Sequence, residues 1–244
     1  MSISHLVVEE RYCEGHFPGR PIVPGVAQLE LVRRALAPPG VPLREIRHAR
    51  FKLALAPAQP LELKAREIEP CRFRATLTAA QQTAMTADLR FEDLARVHFS
   101  DEPAPPGPAL APLELLIPHR PPMRFVERVL ARDDAGAQAL CRIPANCPLV
   151  RDAAAPALAA VEAAAQTAAV WQAMGGESET IARLGYLVSL RDTIFETASF
   201  PIDRVFRVSI SAMSLQRPLC TFAFEVLCGA QRLAGGSIGT YLAE

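Results

Sequence analysis

The chain has 244 residues, half of them hydrophobic, which is enough for one large domain or two small ones and too apolar for a disordered chain. Its 26 basic residues balance its 26 acidic ones, so it lacks the cationic excess with which a general nucleic-acid binder neutralises phosphates. Six cysteines, at 13, 71, 141, 147, 220 and 228, form no C-x-x-C pair and have no histidine at zinc-ligand spacing, which points to reduced, mostly buried thiols and no bound metal.

Residues 1–11 have neither a basic segment nor a long apolar core, so no secretory signal is expected. The most apolar stretch, 153–176, is dominated by alanine and interrupted by Glu162, Gln166 and Gln172. That composition fits poorly with a membrane span, which needs about 20 strongly apolar residues. A cytoplasmic protein without membrane contact is expected.

In chain order, a strand over 3–8 leads into a stretch dense in proline and glycine, then a helix over 26–37 stopped by Pro38-Pro39-Gly40. Strands are predicted at 47–55, 61–68, 73–79 and 85–91; in the fourth of the five strands, Phe73 and Leu77 fall on one face by alternation. Residues 101–112, DEPAPPGPALAP, read as an extended, solvated linker between a first unit over 1–100 and a second over 113–244. The second unit repeats the order: strands at 125–130 and 137–143, a helix over 157–174 ending at Gly175-Gly176, and strands at 181–190, 205–212, 222–227 and 236–241. One helix against several strands, twice over, predicts an α+β fold with an antiparallel sheet.

A fixed offset relates the two helices. Adding 132 carries Pro24 to Pro156 and Glu30 to Glu162, and sets Val26, Ala27 and Leu29 on Leu158, Ala159 and Val161. The pattern indicates an internal duplication.

The chemistry gathers at the two helix starts. Residues 15–30, GHFPGRPIVPGVAQLE, place one histidine among three prolines and three glycines: a stiff loop delivering the chain into a helix near Gly25. The first N–H groups of that helix are unpaired and carry the positive end of its dipole, so they suit an oxygen gaining negative charge. Glu30 and Glu162 are each the one charge in an apolar helical run. Such a carboxyl either sits on a narrow solvent stripe or is buried, where a raised pKa would let it act as an acid.

The segment His16-Phe-Pro-Gly-Arg-Pro-Ile-Val-Pro-Gly-Val26, with Glu30 fourteen residues after the histidine, resembles the active-site loop and helix of the hotdog-fold 3-hydroxyacyl-[acyl carrier protein] dehydratases. In the second half, LLIPHRPPMRFVERVL (115–130) resembles that family's N-terminal strand, and Glu162-Ala-Ala-Ala-Gln166 its central-helix motif. Together the halves look like the two small hotdog proteins of aryl polyene pigment pathways, joined in one chain. The resemblance implies a double hotdog, paired as a pseudo-dimer, acting on a substrate carried by an acyl carrier protein. No cofactor is implied beyond the phosphopantetheine of that substrate.

The departures divide the labour. The offset puts Pro148 where the first half has His16, and Ala157 where it has Gly25; Glu162 keeps its Gln166, whereas Glu30 is followed by Arg34. If the halves pair as the family's dimers do, one complete site joins His16 to Glu162, as in the double-hotdog dehydratase domains of polyketide synthases. The resemblance then implies that His16 removes the α-proton of a (3R)-hydroxyacyl thioester. It gives the Gly25 N–H the role of holding the thioester oxygen, and Glu162 that of protonating the leaving hydroxyl. Gln166 would orient that carboxyl or the departing water, and Phe17, Pro18, Gly19 and Pro24 would form the substrate loop. Glu30 is read as a relic and His119 as structural. Arg44, Arg47, Arg50 and Lys52 form a basic run that is either a solvated strand face or a docking patch for an acidic carrier protein. Two other functions stay open: a hotdog thioesterase using a helix carboxylate to activate water, and a non-catalytic acyl-carrier binding module.

Overall fold

The computed structural model describes residues 2–95, 97, 99, 112–175 and 184–243. All but one residue of the expected linker, 101–111, therefore lie outside the described residues, as do 181–183 of an expected strand.

The first half contributes β1 (Ser2–Val7), a 3-10 turn over Glu10–Cys13, helix α1 (Gly25–Leu36), β2 (Leu43–Phe51), β3 (Pro60–Glu69), β4 (Arg72–Ala79) and β5 (Gln82–Phe91). The second begins with a helical turn, α2 (Leu113–Leu116), followed by β6 (Val126–Arg132), β7 (Gly136–Arg142), a short β8 (Ala154–Pro156) and helix α3 (Ala159–Met174). It ends with β9 (Gly185–Phe195), a short β10 (Ser199–Pro201), β11 (Val205–Gln216), β12 (Leu219–Cys228) and β13 (Gln231–Leu242).

Eleven strands form one antiparallel sheet in the order β1-β3-β4-β5-β2-β9-β13-β12-β11-β7-β6. Outward from the β2–β9 junction, the two sides run in matching order: β2, β5, β4, β3, β1 against β9, β13, β12, β11, β7, with β6 added at one end. The duplication expected from the helix offset is thus a duplication of topology, and the fold is the double hotdog. Pairing at the junction runs from Glu45↔Ile194 to Arg50↔Ser189. β2 starts at Leu43, four residues before its predicted start, because its ladder with β5 already begins there.

Each helix is set by its own chemistry. Proline at the N-cap fixes the entry to α1, with the Pro24 carbonyl accepting the N–H groups of Ala27 and Gln28. Arg33 and Arg34 in its last turn complement the helix dipole. In α3, twelve of sixteen residues are buried, which explains its alanine content: small side chains let a helix lie close against strands on several sides. Trp171 anchors its far end, edge-on to Phe222 and donating its N–H to the Asp133 carbonyl at 2.8 Å. The buried apolar residues of both halves form a single core. All six cysteines are free thiols; five are buried and Cys71 is half-buried. Among the described residues, no helix is long and apolar enough to cross a membrane.

Candidate active site

His16 sits on the loop between the 3-10 turn and α1, tied back by its own N–H to the Cys13 carbonyl at 3.0 Å. Its Nδ1 lies 2.7 Å from the Ile22 carbonyl oxygen. A carbonyl can only accept, so Nδ1 carries the proton and Nε2 keeps the free lone pair of a base. Phe17 stacks on the imidazole with ring centroids 4.0 Å apart. It does so from a left-handed backbone conformation, φ +58°, that a bulky side chain adopts only when its surroundings hold it there. Burial pushes the His16 pKa down to about 4, against the opposing pull of Glu162, so the imidazole is neutral at physiological pH.

The loop is fastened to the other half. The Gly15 carbonyl accepts the Arg120 N–H at 2.9 Å. Gly15 has φ +73°, and a Cβ there would stand 2.2 Å from the Arg120 carbonyl oxygen, so only glycine allows the approach. This contact brings the Pro118-His119-Arg120-Pro121 strap against the His16 loop. The His119 and His16 rings are 5.3 Å apart, and His119 Nε2 is 3.3 Å from Glu162 Oε1. His119 is therefore part of the site, contrary to the structural role read from the sequence. Nothing local marks it; its importance comes from the pairing of the halves, and the proline-flanked strap was the only available signal.

Glu162 is in the first turn of α3, buried beside both histidines. One turn on, the Gln166 amide donates to Glu162 Oε1 at 2.9 Å and to the Met123 carbonyl at 2.7 Å, while its oxygen accepts the Phe125 N–H at 2.8 Å. Gln166 is wholly buried and does not line the cavity, so it fixes the carboxyl and is not placed to orient a departing water. Burial favours the neutral form of Glu162. The hydrogen bond from His119, the charges its two histidine neighbours carry when protonated and the bond from Gln166 outweigh it, and the net pKa is lowered. Three donor atoms, one each from His16, His119 and Glu162, lie within 4.8 Å of one another, close enough to converge on one ion or one small group.

These three residues open into one cavity of about 250 Å³ between the halves. Glu162, Ala165, Ala169 and Gln172 line it from one face of α3, with Phe17, Gly25, Phe51 and Leu187 opposite. Gly25 is the first residue of α1, and its N–H has no hydrogen-bond acceptor among the described residues. A Cβ there would crowd Phe51 at 3.1 Å and Leu187 at 3.3 Å.

The pseudo-symmetric place in the other half differs at each point. Arg33 clamps Glu30 through two hydrogen bonds of 2.7 and 2.8 Å. The Ala157 N–H, counterpart of Gly25, is taken by the Ala198 carbonyl at 3.3 Å. A buried proline, Pro148, stands at the position offset from His16.

Of the expected substrate loop, only Phe17 reaches the cavity: Pro18 and Gly19 form an exposed turn, and Pro24 is spent as the N-cap of α1. The basic run does not act as one patch. Arg44 is held by Glu196 and the Phe195 carbonyl across the junction, which removes it from a docking surface. Arg47 and Arg50 are exposed, and Lys52 lines the cavity.

Residues 111–244 match the ApeP-like family, described as ApeP dehydratase, and residues 3–90 match the ApeI-like family, described as ApeI dehydratase. The chain belongs to the ApeP-like dehydratase family, with an ApeI-like half fused before it. A curated relative, the 3-hydroxyacyl-[acyl-carrier-protein] dehydratase FabZ of Legionella pneumophila, is 33% identical over 79 residues, covering 27% of this chain and 53% of the relative. The chain thus spans about half the length of that relative. Among solved structures, the dehydratase domain of RzxB from Pseudomonas fluorescens aligns over 97% of this chain and 92% of its own, with TM-score 0.68 and 18% identity. The dehydratase domain of PpsC from Mycobacterium tuberculosis aligns over 99% and 93%, with TM-score 0.69 and 12% identity. Both share the fold of this ApeI/ApeP-like fusion.

Proposed function

We propose that the protein dehydrates a (3R)-hydroxyacyl group on an acyl carrier protein to the trans-2-enoyl thioester, at one site built from both halves. The observation that carries this reading is the cavity flanked by His16 of one half, Glu162 of the other and the open N–H of Gly25.

His16 Nε2 takes the α-proton, and the Gly25 N–H receives the thioester oxygen as enolate charge develops on it. The electron pair of the broken C–H bond forms the new double bond as the Cβ–O bond breaks. Glu162 gives the departing hydroxide a proton and it leaves as water. The carboxylate so formed is stabilised by hydrogen bonds from His119 and Gln166, so the lowered pKa of Glu162 suits the end of the step. His119, 3.3 Å from the carboxyl oxygen, acts with Glu162 on that proton. Arg47, Arg50 and Lys52 are the exposed cations left to attract an acidic carrier protein.

Mass spectrometry of a 3-hydroxyacyl carrier protein incubated with the enzyme tests this directly. Loss of one water is expected, and it disappears in His16→Ala and Glu162→Ala. Release of the free carrier thiol would identify a thioesterase instead. Tight binding with no change of mass, unaltered in His16→Ala, would identify a binding module.

A further inference from the structure

Four buried side-chain polar atoms lack a hydrogen-bond partner among the described residues: Gln28 Oε1, His119 Nδ1, Thr240 Oγ1 and Arg132 Nε. Three of these four residues line the one cavity that holds the catalytic pair. His119 meets Glu162 through its other ring nitrogen, Nε2, and so already has a place in the removal of water. Gln28 and Thr240 have no task in the removal of water.

The fold does not demand polarity at the position of Gln28. The 132-residue offset sets Ala160, fully buried, where the first half has Gln28. Gln28 lies one turn along α1 from Gly25, and Gly25 abuts Leu187. Leu187 is the register partner of Thr240 across β9 and β13. The two unpaired groups therefore border one stretch of wall beside Gly25. A buried amide or hydroxyl left unpaired lowers affinity by about tenfold or more. A plain alkyl chain filling this stretch would expel water and strand both groups; a chain with its own hydroxyl would pair them.

We infer that the cavity selects acyl chains bearing a hydroxyl beyond the β-carbon over plain alkyl chains, with Gln28 and Thr240 as the groups that read it. This inference rests on the dehydratase reading for its substrate. Discrimination of this kind is large, because a site built to pair a hydroxyl rejects the analogue without it.

The test uses pantetheine thioesters of 3-hydroxyoctanoate, plain or with a further hydroxyl moved along successive carbons from the fourth onward. In the wild-type chain, at least one hydroxylated member should exceed the plain one by about tenfold or more in kcat/KM. That preference should vanish in Gln28→Leu and Thr240→Val, with the plain thioester unchanged or improved. Equal or better use of the plain chain overturns the inference, even if the variants fail to fold. So does an equal loss for every thioester in Gln28→Leu, which would place Gln28 on the pantetheine arm. Calorimetric binding of the same series to His16→Ala reads the preference without turnover. A chain that binds selectively but never loses water would refute the dehydratase reading alone.

Discussion

His119 Nε2 and Glu162 Oε1 stand 3.3 Å apart within the second half, one on a proline-flanked strap and the other on a helix. Both face the histidine of the first half across the cavity. A carboxyl that must give up a proton in a dry site needs something to hold the resulting charge, and His119 is placed to do so.

Replacing His119 with phenylalanine keeps the bulk of the ring and removes that hydrogen bond. Glu162 then loses the largest influence holding its pKa down, and burial raises it. We expect kcat to fall by about tenfold to a hundredfold with little change in KM, and the acid-requiring limb of the kcat profile to move to higher pH. An unshifted profile with the same loss would reduce His119 to a packing role.

The two helix carboxylates should behave oppositely. Glu162→Gln removes the acid and should cost about 10²–10⁴ in kcat, read by loss of water from the carrier-bound substrate. Glu30→Gln should leave turnover intact, but it deprives Arg33 of its bidentate partner. Arg33 is about a quarter exposed, so the expected cost is about 2 kcal/mol in urea unfolding.

Burial holds the His16 pKa at about 4, below its ordinary 6.5, and this fixes two pH dependences. The base should stay active well below pH 6.5, with the acid limb of kcat/KM falling only toward about pH 4. Stability follows the same sign: above about 6.5 the imidazole is neutral folded or unfolded. Between there and about 4 only the unfolded chain takes the proton, so up to about 3 kcal/mol is lost as pH falls through that window. Glu162, lowered from its ordinary value, adds a loss in the same direction below about 4.5. His16→Phe should flatten the upper part of the stability profile in pH-stepped urea melts.

Gly15→Ala forces a Cβ against the Arg120 carbonyl from a left-handed backbone position. We expect a loss of about 2 kcal/mol or more and a marked drop in kcat, because the same contact sets the spacing of His16 and His119. A variant with wild-type melting and wild-type turnover would show that the strap does not need this contact.

Much of this was readable in the residues because proline and glycine punctuate both helix starts. Pro24-Gly25 marks the entry to α1, and the lone acids Glu30 and Glu162 stand out in apolar runs. The meeting of His16 and Glu162 in one cavity was legible from what the second half lacks. Other features depend on the assembled halves. Arg44 looked like a surface cation until β9 brought Glu196 to it, and His119 looked inert until the Gly15 contact placed it beside the His16 loop. Gln166 reads as a partner of the carboxyl or of the departing water, and only the assembled half shows the Met123 and Phe125 backbone groups occupying the rest of its amide. The early start of β2 likewise reflects its ladder rather than local propensity.

The ladder between β2 and β9 has a consequence for supply as well as shape. With separate polypeptides, the histidine-bearing half and the acid-bearing half would have to meet at equal abundance, and like could pair with like to give barren assemblies. Encoding both in one strand of backbone makes the pairing of the two halves intramolecular. Every correctly folded copy then carries His16 and Glu162 in one cavity at any expression level, and dilution cannot separate them.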